Sequence, residues 1–597
     1  MKYKNYILIC AGTACESSKA DEIYRNLMKE LDAHKLLNET QVLKTGCFGF
    51  CEKGPIVKVL PDESFYVHVK PEDAKELVEE HIIKGRRVNR LLYNKPCEET
   101  NVAKKLDSIG FYQKQVRVVL RNCGFIDPEV IDEYIARDGY AALEKVLFEM
   151  SADDIINELK TSGLRGRGGA GFPTWRKGMF TKDAQNEEKF VVCNADEGDP
   201  GAYMDRSILE GDPHSVLEAM TIAGKTIGAN RGYIYIRAEY PLAIHRLEVA
   251  IKQAKEFGLL GENILNSGFN FDIEIRLGAG AFVCGEETAL LASLEGRRGM
   301  PVPRPPFPAV KGLWGKPTLI NNVESYANIP AILTKGGNWF AQFGTESSKG
   351  TKVFALTGKI TNSGLIEVPM GITLREIIYE IGGGIPNGKK FKAVQTGGPS
   401  GGMITADYLD TPIDFDNLIK LGSMMGSGGM IVMDEDDCVV DVSKFYLEFT
   451  VDESCGKCSP CRIGGRQLMN YLEKITNGEG TDEDIRKMRL IGHAMQMASL
   501  CALGQTAPNP IISTLAYFED EYMAHIHDRK CPAGKCQKLI RYFINEKCIG
   551  CTLCAKKCPV DGCIKGEKKQ VHVINQEACI KCGECERVCK FKAVVKI

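Results

Sequence analysis

Across residues 1–88 the apolar positions follow the pattern of a small α/β unit. Tyr6–Cys10 is a short strand-like run, and Ala20–Leu37 sets Ile23, Leu27 and Leu31 on one helical face. Strand-like Ile56–Leu60 and Phe65–Val69 come next, and Pro71 starts a helix. A basic, irregular connection, Lys84–Arg121, leads into a larger region with glycine and proline at its turns, where Asp153–Ser162 reads as helical. Thr351–Met433 is β-rich: Leu365–Val368 is strand-like, Thr373–Tyr379 helical, and glycine-rich turns follow. Val439–His525 is mostly helical, with amphipathic runs at Gln467–Ile475 and Asp482–Leu500. The tail contains a repeat, because the cysteines of Cys548–Cys558 recur in Cys579–Cys589. These shifts divide the chain into 1–88, a linker at 89–124, 125–350, 351–435, 436–525, a second linker at 526–546, and 547–597.

A length of 597 residues leaves room for several separate cores. The formal net charge of −2 gives no electrostatic reason to expect nucleic acid or an anionic membrane as partner. No apolar stretch approaches the ~18 residues of a spanning helix. The Tyr6–Cys10 run is too short for a signal h-region, and no small-residue cleavage site follows it. The expectation is a cytoplasmic protein.

The 24 cysteines change the picture, because they are clustered. Disulfides belong to oxidising compartments and to small domains without cores, whereas gaps of two and three residues in a large chain point to metal. Cys548, Cys551, Cys554 and Cys558-Pro, repeated as Cys579, Cys582, Cys585 and Cys589, form the paired C-x₂-C-x₂-C-x₃-C run of a two-cluster ferredoxin. In such runs the fourth cysteine of each ligates the other cluster. Cys455, Cys458 and Cys461 supply three more thiolates, and Cys501 is placed to be the fourth; structural zinc is the competing reading of this set. Cys10, Cys15, Cys47 and Cys51 lack C-x₂-C spacing, which argues against a dithiol or zinc and suits a flat [2Fe–2S] rhomb with two ligands per iron. His525, beside His527, precedes Cys531 and Cys536, and Cys438 is the candidate fourth ligand of a zinc site; a free-thiol linker is the alternative.

Leu164-Arg-Gly166-Arg167-Gly168-Gly169-Ala170-Gly171-Phe172 contains a formal G-x-G-x-x-G without the Rossmann context, because a helix precedes it and Phe-Pro interrupts the next helix start. Dense glycine still lets backbone N–H groups approach an anion or a planar ring. Acidic residues beside glycine recur at Asn194-Ala-Asp196-Glu197-Gly-Asp199 and Cys284-Gly285-Glu286-Glu287, where carboxylates can bond ribitol or ribose hydroxyls.

The segments GRGGAGFPTW, CNADEGDPGAY, CGEETALLASLEG, Pro317–Glu324 and ESCGKCSPC together resemble the NADH-binding flavoprotein subunit of respiratory complex I and its relatives in soluble hydrogenases. With the N- and C-terminal cysteine sets, the chain is most similar to the flavin subunits of multimeric, electron-bifurcating [FeFe]-hydrogenases. The resemblance implies a thioredoxin-like domain, a non-Rossmann FMN- and NADH-binding α/β domain, a ubiquitin-like SLBB-type module, a helical bundle with a cluster, and a two-cluster ferredoxin domain. It implies FMN against Gly166, Arg167, Gly168, Ala170, Lys177, Asn194, Asp196, Gly285, Glu286, Asn321 and Asn322. NADH would stack on Phe172, Phe180 and Phe307, with Glu287 near the adenosine ribose, although each phenylalanine also suits a core position. Phe282 stands where many relatives have tyrosine. The implied partners are a catalytic [FeFe] subunit, a small [2Fe–2S] subunit and ferredoxin.

A nicotinamide gives up two electrons as hydride whereas a cluster takes one, so a flavin must join them and no side chain need act as acid or base. Two other readings share the motifs: the NADH-input subunit of a formate dehydrogenase or complex I-like enzyme, and a non-catalytic scaffold that relays electrons.

Overall fold

The computed structural model describes residues 3–93 and 109–596; the stretch 94–108 of the basic connection lies outside the described residues. The chain forms two compact units, Met1–Val432 and Met433–Ile597.

The first unit begins with a four-stranded sheet of order β2-β1-β3-β4: β1 (Asn5–Cys10), β2 (Thr40–Thr45), β3 (Val57–Leu60) and β4 (Ser64–Tyr66). Strand β1 runs parallel to β2, with Ile7 opposite Val42, and antiparallel to β3, with Ile7 opposite Val59. Helix α1 (Ala20–Ala33) buries Ile23, Leu27 and Leu31 against this sheet core. It stops short of the expected Leu37 because Lys35 turns left-handed at φ 56° and the Leu36 N–H returns to Leu31 O at 2.8 Å, a Schellman-type closure. Pro71 does open a helical segment: a 3₁₀ turn (Pro71–Asp73) passes through Ala74–Glu76 into wide π-type turns at Leu77–Ile83.

Helices α2 (Ala152–Ser162) and α3 (Thr174–Asp183) flank the glycine-rich loop. Then come β5 (Phe190–Ala195), α4 (Met204–Gly211), α5 (Pro213–Ile227), β6 (Arg231–Arg237), α6 (Pro241–Glu256), β7 (Asp272–Gly278), α7 (Glu287–Leu294), β8 (Thr318–Asn322) and α8 (Val323–Lys335). The four strands form one parallel sheet of order β7-β6-β5-β8. Parallel strands need crossover helices, and α5 and α8, buried along nearly their whole length, supply that cover. The chain lays strands outward from β5 to β6 and β7, then returns to the other side of β5 with β8. The carboxyl ends of β5 and β8 therefore flank a topological switch point, where open α/β sheets leave a crevice.

A five-stranded sheet of order β10-β9-β13-β11-β12 completes this unit: β9 (Thr351–Gly358), β10 (Gly364–Pro369), β11 (Phe391–Thr396), β12 (Met403–Thr405) and β13 (Gly429–Asp434). The expected helix at Thr373–Tyr379 is instead a π-type segment at Glu376–Ile381. On β10, Glu367 accepts N–H bonds from Val118, Val119 and Leu120 at 2.9–3.0 Å, tying the connection to the sheet.

The second unit holds α9 (Val439–Asp452), α10 (Gly465–Asn477), α11 (Asp482–Ala498), α12 (Ala502–Thr506), α13 (Asn509–Tyr517) and α14 (Glu519–Ile526). Thr481 and Asp484 close a capping box at the start of α11. Two short antiparallel ribbons follow: β14 (Tyr542–Ile544) with β17 (Val594–Lys596), and β15 (Ile564–Lys565) with β16 (Val573–Ile574). Among the described residues no helix is long and apolar enough to cross a membrane.

Candidate flavin, nucleotide and cluster sites

The glycine-rich loop closes on itself through the Gly166 N–H to Phe172 O bond at 2.8 Å. Gly169 at φ 126° and Gly171 at φ 65° hold conformations that side chains resist. A Cβ on Gly168 would lie 3.3 Å from Asn322 Cβ, so the loop rests directly on the end of β8. Gly168 and Ala170 remain exposed and Gly166 half-buried. The Arg167 guanidinium is consumed inside the protein. It donates to the carbonyls of Thr351 (3.0 Å), Lys349 (2.7 Å) and Arg165 (2.7 Å), and burial pulls its pKa down to about 10. Its backbone N–H is also taken, by Ser325 Oγ at 2.8 Å. Arg167 thus braces the loop from within.

The asparagines gather at the switch point. Asn194 and Asn322 are register partners on β5 and β8, as are Cys193 and Asn321. Asn194 Nδ2 donates to Gly285 O at 2.9 Å, and its Oδ1 accepts from Asp196 N–H at 3.1 Å. Asp196 pairs with Arg237 at 3.4 Å. Asn322 Oδ1 caps α8 through Ser325 N–H. Glu286 caps α7 through the N–H groups of Thr288 and Ala289, both at 2.9 Å. Its neighbour Glu287 lies between two cations, Arg304 at 2.5 Å and Lys177 at 3.6 Å, and Lys177 Nζ also donates to Ile320 O on β8. Phe172, Phe180 and Phe307 are 41, 47 and 54 % exposed, so none is a core residue here. Large apolar rings held in water, with Phe172 on the glycine loop itself, fit a ring-stacking ligand.

In the first unit a cavity of about 210 Å³ is lined by Cys10, Cys15, Cys47 and Cys51. Cys47 and Cys51 sulfurs stand 3.7 Å apart. A Cβ on Gly54 would come within 2.8 Å of Cys15 Sγ, which explains a glycine there. The far wall is Tyr203, Arg206 and Glu210 of the α4 segment. Glu210 accepts from Thr13 N–H at 3.0 Å and Thr13 Oγ1 at 2.5 Å, while buried Arg246 on α6 donates to Ala11 O at 3.1 Å. Sequence reasoning missed this wall, although CNADEGDPGAY ends at Tyr203. Glu197 of the same motif takes the Met204, Asp205 and Arg206 N–H groups and so caps α4; burial lifts its carboxyl to about 7.

In the second unit Cys461 is buried with Cys458 and Cys455 beside it, and burial foremost raises its pKa. Cys501 precedes α12, whose Gly504 lies so close to Cys461 that an added Cβ would reach 2.9 Å from Cys461 Cβ. Two further pockets lie in the tail. One is lined by Cys548, Cys551, Cys554 and Cys589, the other by Cys579, Cys582, Cys585 and Cys558. Each thus draws three thiols from one run and the last from the other. Cys438, His525, Cys531 and Cys536 bring their ligand atoms within 4.8 Å of one another, all buried. His525 Nδ1 donates to Glu521 O at 2.6 Å, which leaves Nε2 facing Cys536 Sγ at 3.3 Å and Cys438 Sγ at 3.5 Å. Three thiols and one imidazole at this spacing suit tetrahedral zinc. His527 pairs instead with Asp482 at 3.0 Å.

Residues 159–331 match the Nuo51 FMN-binding domain and 441–525 the NADH-ubiquinone oxidoreductase-F iron–sulfur binding region. Residues 2–81 match the thioredoxin-like [2Fe–2S] ferredoxin, 353–404 the SLBB domain, and 541–562 and 572–595 the 4Fe–4S binding domain. NADP-reducing hydrogenase subunit HndC of Solidesulfovibrio fructosivorans is 59% identical over 485 residues, 81% of this chain and 98% of its own. An NADH-quinone oxidoreductase subunit of Rhizobium meliloti is 46% identical over 415 residues, 70% of this chain and 99% of its own. The chain belongs to the FMN-binding Nuo51 family of NADH-quinone oxidoreductases and hydrogenases.

A solved structure of an NAD⁺-reducing [NiFe]-hydrogenase aligns with a TM-score of 0.62 at 28% identity, covering 88% of this chain and 85% of that one. Membership of the Nuo51 family makes this an NAD(P)-dependent oxidoreductase with an FMN domain. A thioredoxin-like [2Fe–2S] domain precedes that domain, and [4Fe–4S] regions follow it. The Nuo51 flavin domain coincides with the parallel sheet and its switch point, so the non-Rossmann glycine loop and the asparagine ends of β5 and β8 fall within one matched segment.

Proposed function

We propose that this chain is the NAD(H)-coupled flavin subunit of a multimeric hydrogenase, working in the cytoplasm. It would exchange electrons among NAD(H), FMN, one [2Fe–2S] and three [4Fe–4S] clusters. Its partners would be a catalytic [FeFe] subunit, a small [2Fe–2S] subunit and ferredoxin, the set needed for electron bifurcation. The observation that carries the reading is the convergence of the glycine loop, Asn194 and Asn322 on one switch point, in a chain that also lines three separate cavities with at least four thiols each. The likeness to HndC over nearly its whole length supports a hydrogenase over a formate dehydrogenase or a quinone-reducing complex. Exposed stacking rings beside the switch-point crevice count against a scaffold that only relays electrons.

Bound FMN would convert the two-electron chemistry of a nicotinamide into single-electron steps. The residues around it have simpler tasks. Gly166, Gly168 and Ala170 leave backbone open to a ring or phosphate, and Asn194, Asn321 and Asn322 offer amides at the strand ends. Arg167, Asp196 and Glu286 hold those elements in place, with Gly285 tied to Asn194. Phe172, Phe180 and Phe307 would stack on the dinucleotide and shield it from water.

Metal analysis tests the cluster inventory. One [2Fe–2S] and three [4Fe–4S] clusters bring about 14 irons per chain. The Cys438–His525–Cys531–Cys536 site adds one zinc, which His525→Ala should release while the iron stays. A tail that binds zinc alone would sink the inventory.

Nucleotide choice tests the crevice. Glu287 would accept from a ribose 2′-hydroxyl and repel a 2′-phosphate, giving a preference for NAD(H) over NADP(H). The flanking Arg304 tempers that repulsion. Glu287→Ala should lower the NADH:NADPH ratio of kcat/KM about tenfold, a loss of ~1.4 kcal/mol of discrimination. Wild-type use of NADPH with equal or higher kcat/KM would refute the role of Glu287.

A further inference from the structure

Both halves of the ferredoxin-like tail build the same cage, but one of them holds a fifth thiol. Strand register superimposes the two halves: Ile544 pairs with Val594 in one ribbon, and Ile574 with Ile564 in the other. One residue earlier, the Ala593 carbonyl accepts from Asn545 N–H and the Cys563 carbonyl from Asn575 N–H, both at 2.8 Å. Cys563 therefore occupies in the second half the position that Ala593 occupies in the first. Gly562, at φ 69°, is the extra residue that lengthens the turn after Cys558. Simple comparison of the two cysteine runs hides this match, because the insertion shifts the numbering by one.

The matched residues face matched pockets. Ala593 lines the pocket of Cys548, Cys551, Cys554 and Cys589, while Cys563 lines that of Cys579, Cys582, Cys585 and Cys558. Both side chains are 1 % exposed. A methyl group cannot ligate iron, whereas a thiolate can. The Cys563 thiol donates to Asn575 O at 3.7 Å, and the Cys558 and Cys579 thiols are its other neighbours, so it stands beside the ligand it would replace.

We propose that Cys563 is an alternate ligand of the second cluster, able to take the iron that Cys558 holds. In the exchange one iron–sulfur bond to Cys558 breaks and one to Cys563 forms. The proton lost by the Cys563 thiol passes to the released Cys558 thiolate, and no electron moves. The second cluster would then survive oxidation or loss of Cys558, whereas the first, with Ala593 at the matched place, would not survive loss of Cys589. This rests on the reading of the tail as two [4Fe–4S] clusters.

The test uses the full-length chain, reconstituted anaerobically, with iron and sulfide counted per chain and reduced clusters followed by EPR. Wild type must first show both tail clusters; their absence would refute the ferredoxin reading itself. Cys558→Ala and Cys563→Ala should each keep the wild-type iron content, and Cys558→Ala should change the EPR signature of one cluster. The Cys558→Ala/Cys563→Ala double variant and Cys589→Ala should each lose iron from one cluster. Cys558→Ala losing as much iron as the double variant would overturn the proposal. The transplant Ala593→Cys in the Cys589→Ala background should restore the first cluster, and failure to restore it would overturn the proposal even if Cys558→Ala misfolds.

Discussion

Lys352→Ala is expected to destabilise the first unit by about 3–5 kcal/mol, the range seen when one partner of a buried ion pair is removed. Lys352 on β9 and Glu324 on α8 are 0 and 1 % exposed. The ammonium donates to Glu324, to Val353 O at 2.8 Å and to Ser427 O at 2.5 Å. Glu324 also accepts from Val353 N–H at 2.9 Å. Burial raises the Glu324 pKa and Lys352 opposes that rise. Without Lys352 the carboxyl sits higher still, beside an Asp205 that burial has already pushed up. A folded-state pKa above the unfolded value means the folded chain binds the extra proton, so stability falls as pH rises from the ordinary carboxylate range. The deficit of Lys352→Ala should therefore shrink toward pH 5. Lys352→Met with Glu324→Leu should recover most of the loss, because a packed apolar pair replaces a buried charge pair at little cost. Urea unfolding followed by flavin fluorescence reads the wild type and both variants. A loss below 1 kcal/mol for Lys352→Ala would show that the pair is not sealed from water. Glu324 lies two residues after Asn322, so flavin retention should fall with stability.

Cys551→Ala is expected to abolish electron delivery to a hydrogenase partner or ferredoxin while leaving NADH–ferricyanide activity at the wild-type level. The residues proposed to hold FMN and NAD(H) all lie within 164–324, inside the first compact unit, and Cys551 belongs to the second. Removing one thiol of the Cys548–Cys589 pocket takes away a ligand without touching the glycine loop, the asparagines or the stacking rings. The purified chain alone should show no H₂ turnover, because the sixteen thiols of the four sets leave none arranged as a hydrogen-activating centre. H₂-dependent NAD⁺ reduction by this chain alone would overturn the assignment. So would loss of ferricyanide activity in a folded Cys551→Ala protein.

Cysteine chemistry was the most legible part of the chain, because a cubane or rhomb imposes spacing that survives any detail of folding. The tail pockets combine thiols in the crossed pattern that the repeat implies. Elements with strong periodicity, such as α1, α10 and α11, also stood out, since burial of one stripe dictates their pattern. Helix ends did not: Lys35 adopts a left-handed turn that an ordinary lysine does not advertise. The role of the Arg167 side chain was hidden for a different reason. A charged residue in a glycine loop reads as a ligand contact, and only the carbonyls of residues 349 and 351, far along the chain, reveal that it is an internal brace. The switch point required the strand order, which depends on pairing between Asn194 and Asn322 across more than a hundred residues. Glu210 and Arg246 escaped notice because their partners, Thr13 and Ala11, come from the other end of the first unit.

That last contact bears on how such proteins are assembled from parts. The thioredoxin-like domain looks detachable, since its four cysteines and its sheet all fall before residue 89. Yet one wall of its thiol cavity is Tyr203, Arg206 and Glu210, and Ala11 and Thr13 are anchored by Arg246 and Glu210. A fragment cut at residue 88 would keep every ligand and lose its shelter, leaving the sulfurs open to water and dioxygen. Fusion here has given the module a wall drawn from its host: the gene segment is portable, but that wall is not.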